Sequence, residues 1–162
     1  MKSFSHEMRY DGATPEQVYA MLADPAFREA VCEYQRYHRH TVSITPEGSG
    51  MSVFVDQHRP ADGVPSFAQK FVGDEINIQQ REQWRSPTDA ALEVSIPGKP
   101  GHMRGSVHLA GDAGGTTETV AVDVKVSIPL IGGKIEGLIA DMLVKALRAE
   151  NKVGRDWLAE RA

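Results

Sequence analysis

The chain has 162 residues, 41% of them apolar and 25% charged, with 18 Lys and Arg against 22 Asp and Glu for a formal charge of −4. That is the composition of an ordinary globular chain, and it excludes a disordered, collagen-like or disulfide-stapled one. The mild acidity also excludes the basic footprint of a nucleic-acid partner and the polybasic clusters that hold proteins on anionic membranes. Length places residues 1–162 in a single domain. The one cysteine, Cys32, can form neither an intramolecular disulfide nor a Cys-rich metal site and fits a reducing compartment. Residues 1–8 have no apolar signal core, and no run of 18 apolar residues exists, so the expected location is the cytoplasm and no membrane insertion is expected.

Lys2–Asp11 alternates, with Phe4, His6, Met8 and Tyr10 on one face, and reads as a half-buried strand. Thr14-Pro15-Glu16-Gln17 is a capping box with proline at the first helical position, and Asp24-Pro25 opens a second helix at once. The spacing predicts two short helices at an angle. Period two returns from His38 to Thr45 and from Met51 to Asp56 around the turn Glu47–Gly50, which makes a hairpin. Pro65–Val72, ending at Gly73, has helical spacing. Strands follow at Glu75–Trp84, Ala90–Ile96, Met103–Leu109 and Val120–Ile128, the last expected to be the longest. A final helix from Lys134 to Glu160 carries Ile135, Leu138, Ile139, Met142, Leu143, Ala146, Val153 and Trp157 as one apolar stripe.

This order predicts an α+β fold: a seven-stranded antiparallel sheet with one apolar face, curled around the long C-terminal helix, with two short helices after the first strand closing one end. At this point the chain resembles the START-like, or SRPBCC, helix-grip superfamily of birch-pollen allergens, polyketide cyclases and lipid-transfer domains, in a bacterial branch of unknown function. The segments that carry the resemblance are Thr14–Pro25 after the first strand and Ile128–Glu136 leading into the last helix. The resemblance covers the whole chain and implies one cavity for a hydrophobic small molecule, lipid or polyketide-like. It implies no universal catalytic residue.

Strand parity and the helix stripe nominate the ligand-binding residues. The apolar ones are Met8, Val53, Ile78, Trp84, Met103, Leu138 and Met142, and the polar ones are His6, Gln80 and Glu82. Glu82 falls between Gln80 and Trp84 on the inner face, where an isolated carboxylate is costly and must be hydrogen-bonded, paired or protonated. His38, His40 and Glu118 share inward parity but sit near strand ends, where solvent-facing roles are common. His38 and His40 lack a third metal ligand, so no metal is expected, and nothing implies a cofactor. Cys32 reads as a small buried hydrophobe rather than a nucleophile. Lys145, Arg148, Lys152 and Arg155 read as a solvated helix face. Three functions stay open: non-enzymatic binding of a hydrophobic molecule, which leads; a cyclase- or dehydratase-type enzyme using an inward carboxylate and histidine; and an interaction module with a packed core. The cavity mouth is expected between Pro60–Gly73, Pro97–Gly101 and the start of the last helix.

Overall fold

A computed structural model describes residues 1–162. The elements run β1 (Lys2–Asp11), α1 (Pro15–Leu22), α2 (Pro25–Tyr34), β2 (Arg39–Glu47), β3 (Gly50–Pro60), α3 (Ser66–Val72), β4 (Glu75–Ser86), β5 (Asp89–Ser95), β6 (His102–Asp112), β7 (Gly115–Lys125) and α4 (Gly132–Glu160). The seven strands form one antiparallel sheet in the order β1-β7-β6-β5-β4-β3-β2. From β2 to β7 each strand pairs with the next in sequence, and β1 closes the far edge by pairing with β7. The fold is therefore the α+β arrangement expected from the order of elements.

The corner between α1 and α2 is written locally. The Thr14 side chain accepts from the Gln17 backbone N–H while the Gln17 side chain accepts from the Thr14 N–H. One helix later, Asp24 accepts from the Ala26 N–H at 2.9 Å, and Pro25 occupies the first turn. Each cap satisfies N–H groups that have no partner within the helix, so the chain restarts instead of continuing as one rod.

Two expectations about strand extent are corrected. The last strand stops at Lys125, because its partners end there: Lys2 on β1 lies opposite Val124 and His102 on β6 opposite Lys125. The next N–H, of Val126, is taken by the Glu136 carboxylate at 2.8 Å. The longest strand is β4, with 12 residues. His38 also precedes β2 and is not part of it.

The inner sheet face buries Met8 and Tyr10 on β1, Met51, Val53 and Val55 on β3, Trp84 on β4, and Val120, Val122 and Val124 on β7. The α4 helix, 29 residues and about 43 Å long, does not lie evenly on that face. It seats against β1, β7 and α2 and stands off from β3–β6. At the seat, Gly154 lets the helix approach closely: a Cβ there would come within 2.8 Å of the Tyr10 ring. Phe27 of α2 meets Trp157 of α4 edge to face at 5.6 Å. A helix held down along one margin of a sheet, and across its end by α2, leaves a gap over the remaining strands. No helix is long and apolar enough to cross a membrane.

Candidate functional site

The gap between α4 and the middle strands is a cavity of about 530 Å³. Of its 36 lining side chains 23 are apolar, so its walls suit an apolar molecule. Val55, Ile78, Leu92, Val94, Met103 and Val107 line the sheet side, and Leu138, Met142, Leu143 and Ala146 line the helix side. Leu138 and Met142 are only half-buried because they face this space rather than a packed partner.

One end of the cavity is polar and closed. Alternation on β4 puts Gln80, Glu82 and Trp84 on one face. Arg28 enters from α2, where its Nε donates to the carbonyl of Leu22 at 2.8 Å and so ties the α1–α2 corner down. Its Nη1 and Nη2 donate to the two oxygens of Glu82 at 2.7 and 2.9 Å, a bidentate fork. Glu82 also accepts from Trp84 Nε1 at 2.8 Å and from Gln80 Nε2. Both charged residues are buried, each 5% exposed. Burial alone would raise the Glu82 carboxyl, but the Arg28 charge and the hydrogen bonds from Arg28, Trp84 and Gln80 outweigh it and hold the group ionised, below its ordinary range.

Two further carboxyls face the same end. Glu118 on β7 is 3% exposed, lines the cavity, and leaves Oε1 without a hydrogen-bond partner. Glu150 on α4 is half-buried and lines the cavity beside it. Burial, joined by the charges of Glu150 and Glu82, pushes the Glu118 carboxyl well above the usual range, with Arg28 opposing. Burial pushes Glu150 up to about 7, Arg28 opposing and Glu82 adding to the rise. One guanidinium thus stands among three carboxyls, and only Glu82 is hydrogen-bonded to it.

The other end is open. Tyr34 and Arg36 at the end of α2, Asp62–Pro65, and Lys145 on α4 line the cavity there, with Tyr34, Arg36 and Lys145 exposed. Asp62–Pro65 lies within the expected border Pro60–Gly73, and the other two expected borders, Pro97–Gly101 and the start of α4, are corrected. Toward Pro97–Gly101 and the start of α4 there is only a small void of about 50 Å³, because α3 closes that end with Ala68 and Phe71.

Six of the ten nominated residues line the cavity: Ile78, Gln80, Glu82, Met103, Leu138 and Met142. His6, Met8, Val53 and Trp84 do not. Met8, Val53 and Trp84 are each 1% exposed and sealed into the core, Trp84 beneath Tyr19 of α1 at 5.5 Å edge to face. Trp84 reaches the site only through its N–H to Glu82. His6 is half-buried on β1, which α4 covers; burial and then Arg148 lower its pKa. No histidine lines the cavity, so an enzyme built on Glu82 with a histidine has no geometry here. His38 pairs with Glu75 and His40 with Glu29, on different elements. Cys32 is buried at the cavity wall, and burial pushes its thiol up to about 12, which makes it a poor nucleophile.

The residues that sequence reasoning missed had a signal. Arg28 stands three residues before Val31 on the apolar side of α2, and Glu150 fills the step between Ala146 and Val153 in the α4 stripe. Glu118 has the inward parity expected of it but lies three residues inside β7 rather than near a strand end, because that strand begins at Gly115. A charge inside an apolar stripe marks a buried polar site.

Proton linkage follows from these shifts. Glu118 and Glu150 hold protons more tightly folded than unfolded, so folding takes up protons as pH rises above the ordinary 4.5, in the case of Glu150 up to about 7. Stability is expected to fall across that window. Glu82 has the opposite sign: its contribution is present above about 4.5 and is lost as pH falls through its depressed value. In Glu150→Gln, denaturation at pH 5 and pH 8 should show a flatter profile, with a gain at pH 8 of about 1–3 kcal/mol. Equal slopes for variant and parent would mean that Glu150 titrates as an ordinary surface carboxyl.

A family model described as "Protein of unknown function (DUF2505)" matches residues 5–158. An uncharacterised protein of Mycobacterium tuberculosis (strain H37Rv) is 26% identical over 101 residues, 59% of this chain and 58% of that protein. A Mycobacterium bovis protein matches to the same extent. The chain thus spans 58% of the length of these curated relatives. Among solved structures, the protein TTHA0849 from Thermus thermophilus matches with TM-score 0.67 and 17% identity over 99% of both chains. The di-domain ARO/CYC StfQ from the steffimycin biosynthetic pathway matches with TM-score 0.65 and 10% identity over 98% of this chain and 51% of that one. Truncated norcoclaurine synthase from Thalictrum flavum matches with TM-score 0.61 and 13% identity, over 94% and 92%. At these identities the likeness shows the shared fold, of the helix-grip type.

Proposed function

The chain belongs to the DUF2505 family, and we propose that it binds a hydrophobic small molecule in the cavity, lipid or polyketide-like, without transforming it. The apolar body of the molecule lies between the sheet and α4, and its polar group meets the Arg28–Glu82–Glu118–Glu150 end. The observation that carries this reading is a cavity of about 530 Å³ with mostly apolar walls and one buried polar end, the usual build of a small-molecule site. A packed interaction module would leave no such space. Residues 1–162 act in this reading as one START-like domain.

A second reading, an enzyme of the cyclase or dehydratase type, has its own support. Glu150 is pushed to about 7 at the cavity wall, near where a general acid or base works best. Structural neighbours named ARO/CYC and norcoclaurine synthase are consistent with it.

Native mass spectrometry of the protein as purified is expected to show a mass increment lost on denaturation. In parallel, N-phenyl-1-naphthylamine should bind with enhanced fluorescence, and Ala146→Trp, which fills the cavity from α4, should abolish binding while the circular dichroism stays unchanged. Absence of both the increment and the dye signal would sink the binding reading. Dye binding unaffected by Ala146→Trp would place it elsewhere.

A further inference from the structure

Resting on the binding reading, we propose that the ligand carries a basic nitrogen, a protonated amine, seated between Glu118 and Glu150 at the closed end of the cavity, with its apolar portion toward the mouth. Four observations carry this. Glu118 is 3% exposed, faces the cavity and has an unpartnered Oε1. Glu150 faces the same space from α4. The only cation there, Arg28, is committed: its Nε donates to the Leu22 carbonyl and its two terminal nitrogens to Glu82. The mouth has the opposite charge bias, with Arg36, Arg59 and Lys145 against Asp62.

The physical reason is compensation. Two carboxyls in an apolar space without a cation stay protonated rather than ionise, since each unpaired buried charge is costly. A protonated amine between them supplies the missing positive charge and its N–H groups, so both carboxyls ionise and are hydrogen-bonded. A neutral ligand would satisfy them only in part, and a carboxylate would add a further negative charge. The basic mouth sets the direction, because a cationic group is repelled there and attracted at the closed end. The charged or titratable groups facing the pair are Arg28 from α2, Glu82 from β4 and Tyr10 from β1. Arg59 from β3 stands at the mouth, and β5 and β6 line the cavity with apolar side chains such as Leu92, Val94 and Val107.

Because binding ionises the carboxyls, it releases protons, and amine affinity should rise with pH through about 7. The test is calorimetric titration of the intact protein with 4-phenylbutylamine, 4-phenylbutan-1-ol and 4-phenylbutanoate at pH 5.5 and 7.5. The amine should bind at pH 7.5 about tenfold more tightly than the alcohol, the scale of one desolvated charge pair, and lose that advantage at pH 5.5. In Glu118→Gln and Glu150→Gln, isosteres of the protonated groups, the amine-over-alcohol advantage at pH 7.5 should shrink several-fold. An alcohol or carboxylate that binds as well as the amine would overturn the nitrogen and leave the cavity reading standing. Variants that keep the full amine advantage would show that neither carboxyl pairs with the nitrogen and overturn it too. Failure of all three probes would overturn both readings.

Discussion

Replacing Arg28 by alanine is expected to lower stability by about 3–5 kcal/mol, the usual loss when one partner of a buried ion pair is removed. The guanidinium joins three parts of the molecule: the end of α1 through the Leu22 carbonyl, α2 through its own backbone, and β4 through Glu82. Without it, Glu82 becomes a third unpaired carboxyl beside Glu118 and Glu150, in a space with no other cation at the closed end. Glu82 would then protonate near neutral pH, so the loss should grow from pH 5 to pH 8. Urea denaturation at both pH values reads the effect. A double replacement, Arg28→Met with Glu82→Leu, should be less destabilised than Arg28→Ala, because no charge is stranded. A loss under about 1 kcal/mol at pH 8 would show that the fork is solvated and worth no more than a surface pair.

Gly105→Val is expected to be the more damaging change. Gly105 lies inside β6, opposite Leu92 on β5 and Val122 on β7. A Cβ there would fall on the backbone carbonyl of Ala121 in the neighbouring strand. That obstacle is main chain, so no rotamer change relieves it, and β6 and β7 must separate or slip. Glycine inside a strand marks such a close approach or a sharp bend, and a sheet that curls over a helix needs one. The substitution should remove at least about 3 kcal/mol of a domain stability of order 5–15 kcal/mol, seen as aggregation on expression or a collapsed denaturation midpoint. Gly133→Val, at a position with nothing within 4 Å of a Cβ, is the control for the residue type itself. A Gly105→Val protein as stable as the parent would show that β6 and β7 are not packed as described.

The Glu82 result shows what strand parity can carry. Its place on the inner face follows from alternation between Ile76 and Trp84, and it is buried and paired as a cavity carboxylate must be. Its partner is on another element, and nothing in β4 names it. Parity also nominated Met8, Val53 and Trp84, because alternation reports which face a side chain takes. It does not report whether that face meets a helix or open space at that point.

The sequence alone determined the elements, their order and the apolar face, because caps, turns and the periods of 2 and 3.6 are local properties of consecutive residues. It thereby determined a seven-stranded antiparallel sheet with a long helix to cover it. Tertiary structure decided where α4 touches the sheet. Close packing at Gly154 and Tyr10 seats the helix on β1, and the long side chains facing β3–β6 meet empty space. That choice places the cavity, puts its mouth beside α2 rather than at Pro97–Gly101, and gathers Arg28, Glu82, Glu118 and Glu150 from four separate elements. The pKa shifts arise from that gathering, since desolvation and charge proximity depend on distance in space, and residues 28, 82, 118 and 150 are far apart in the chain.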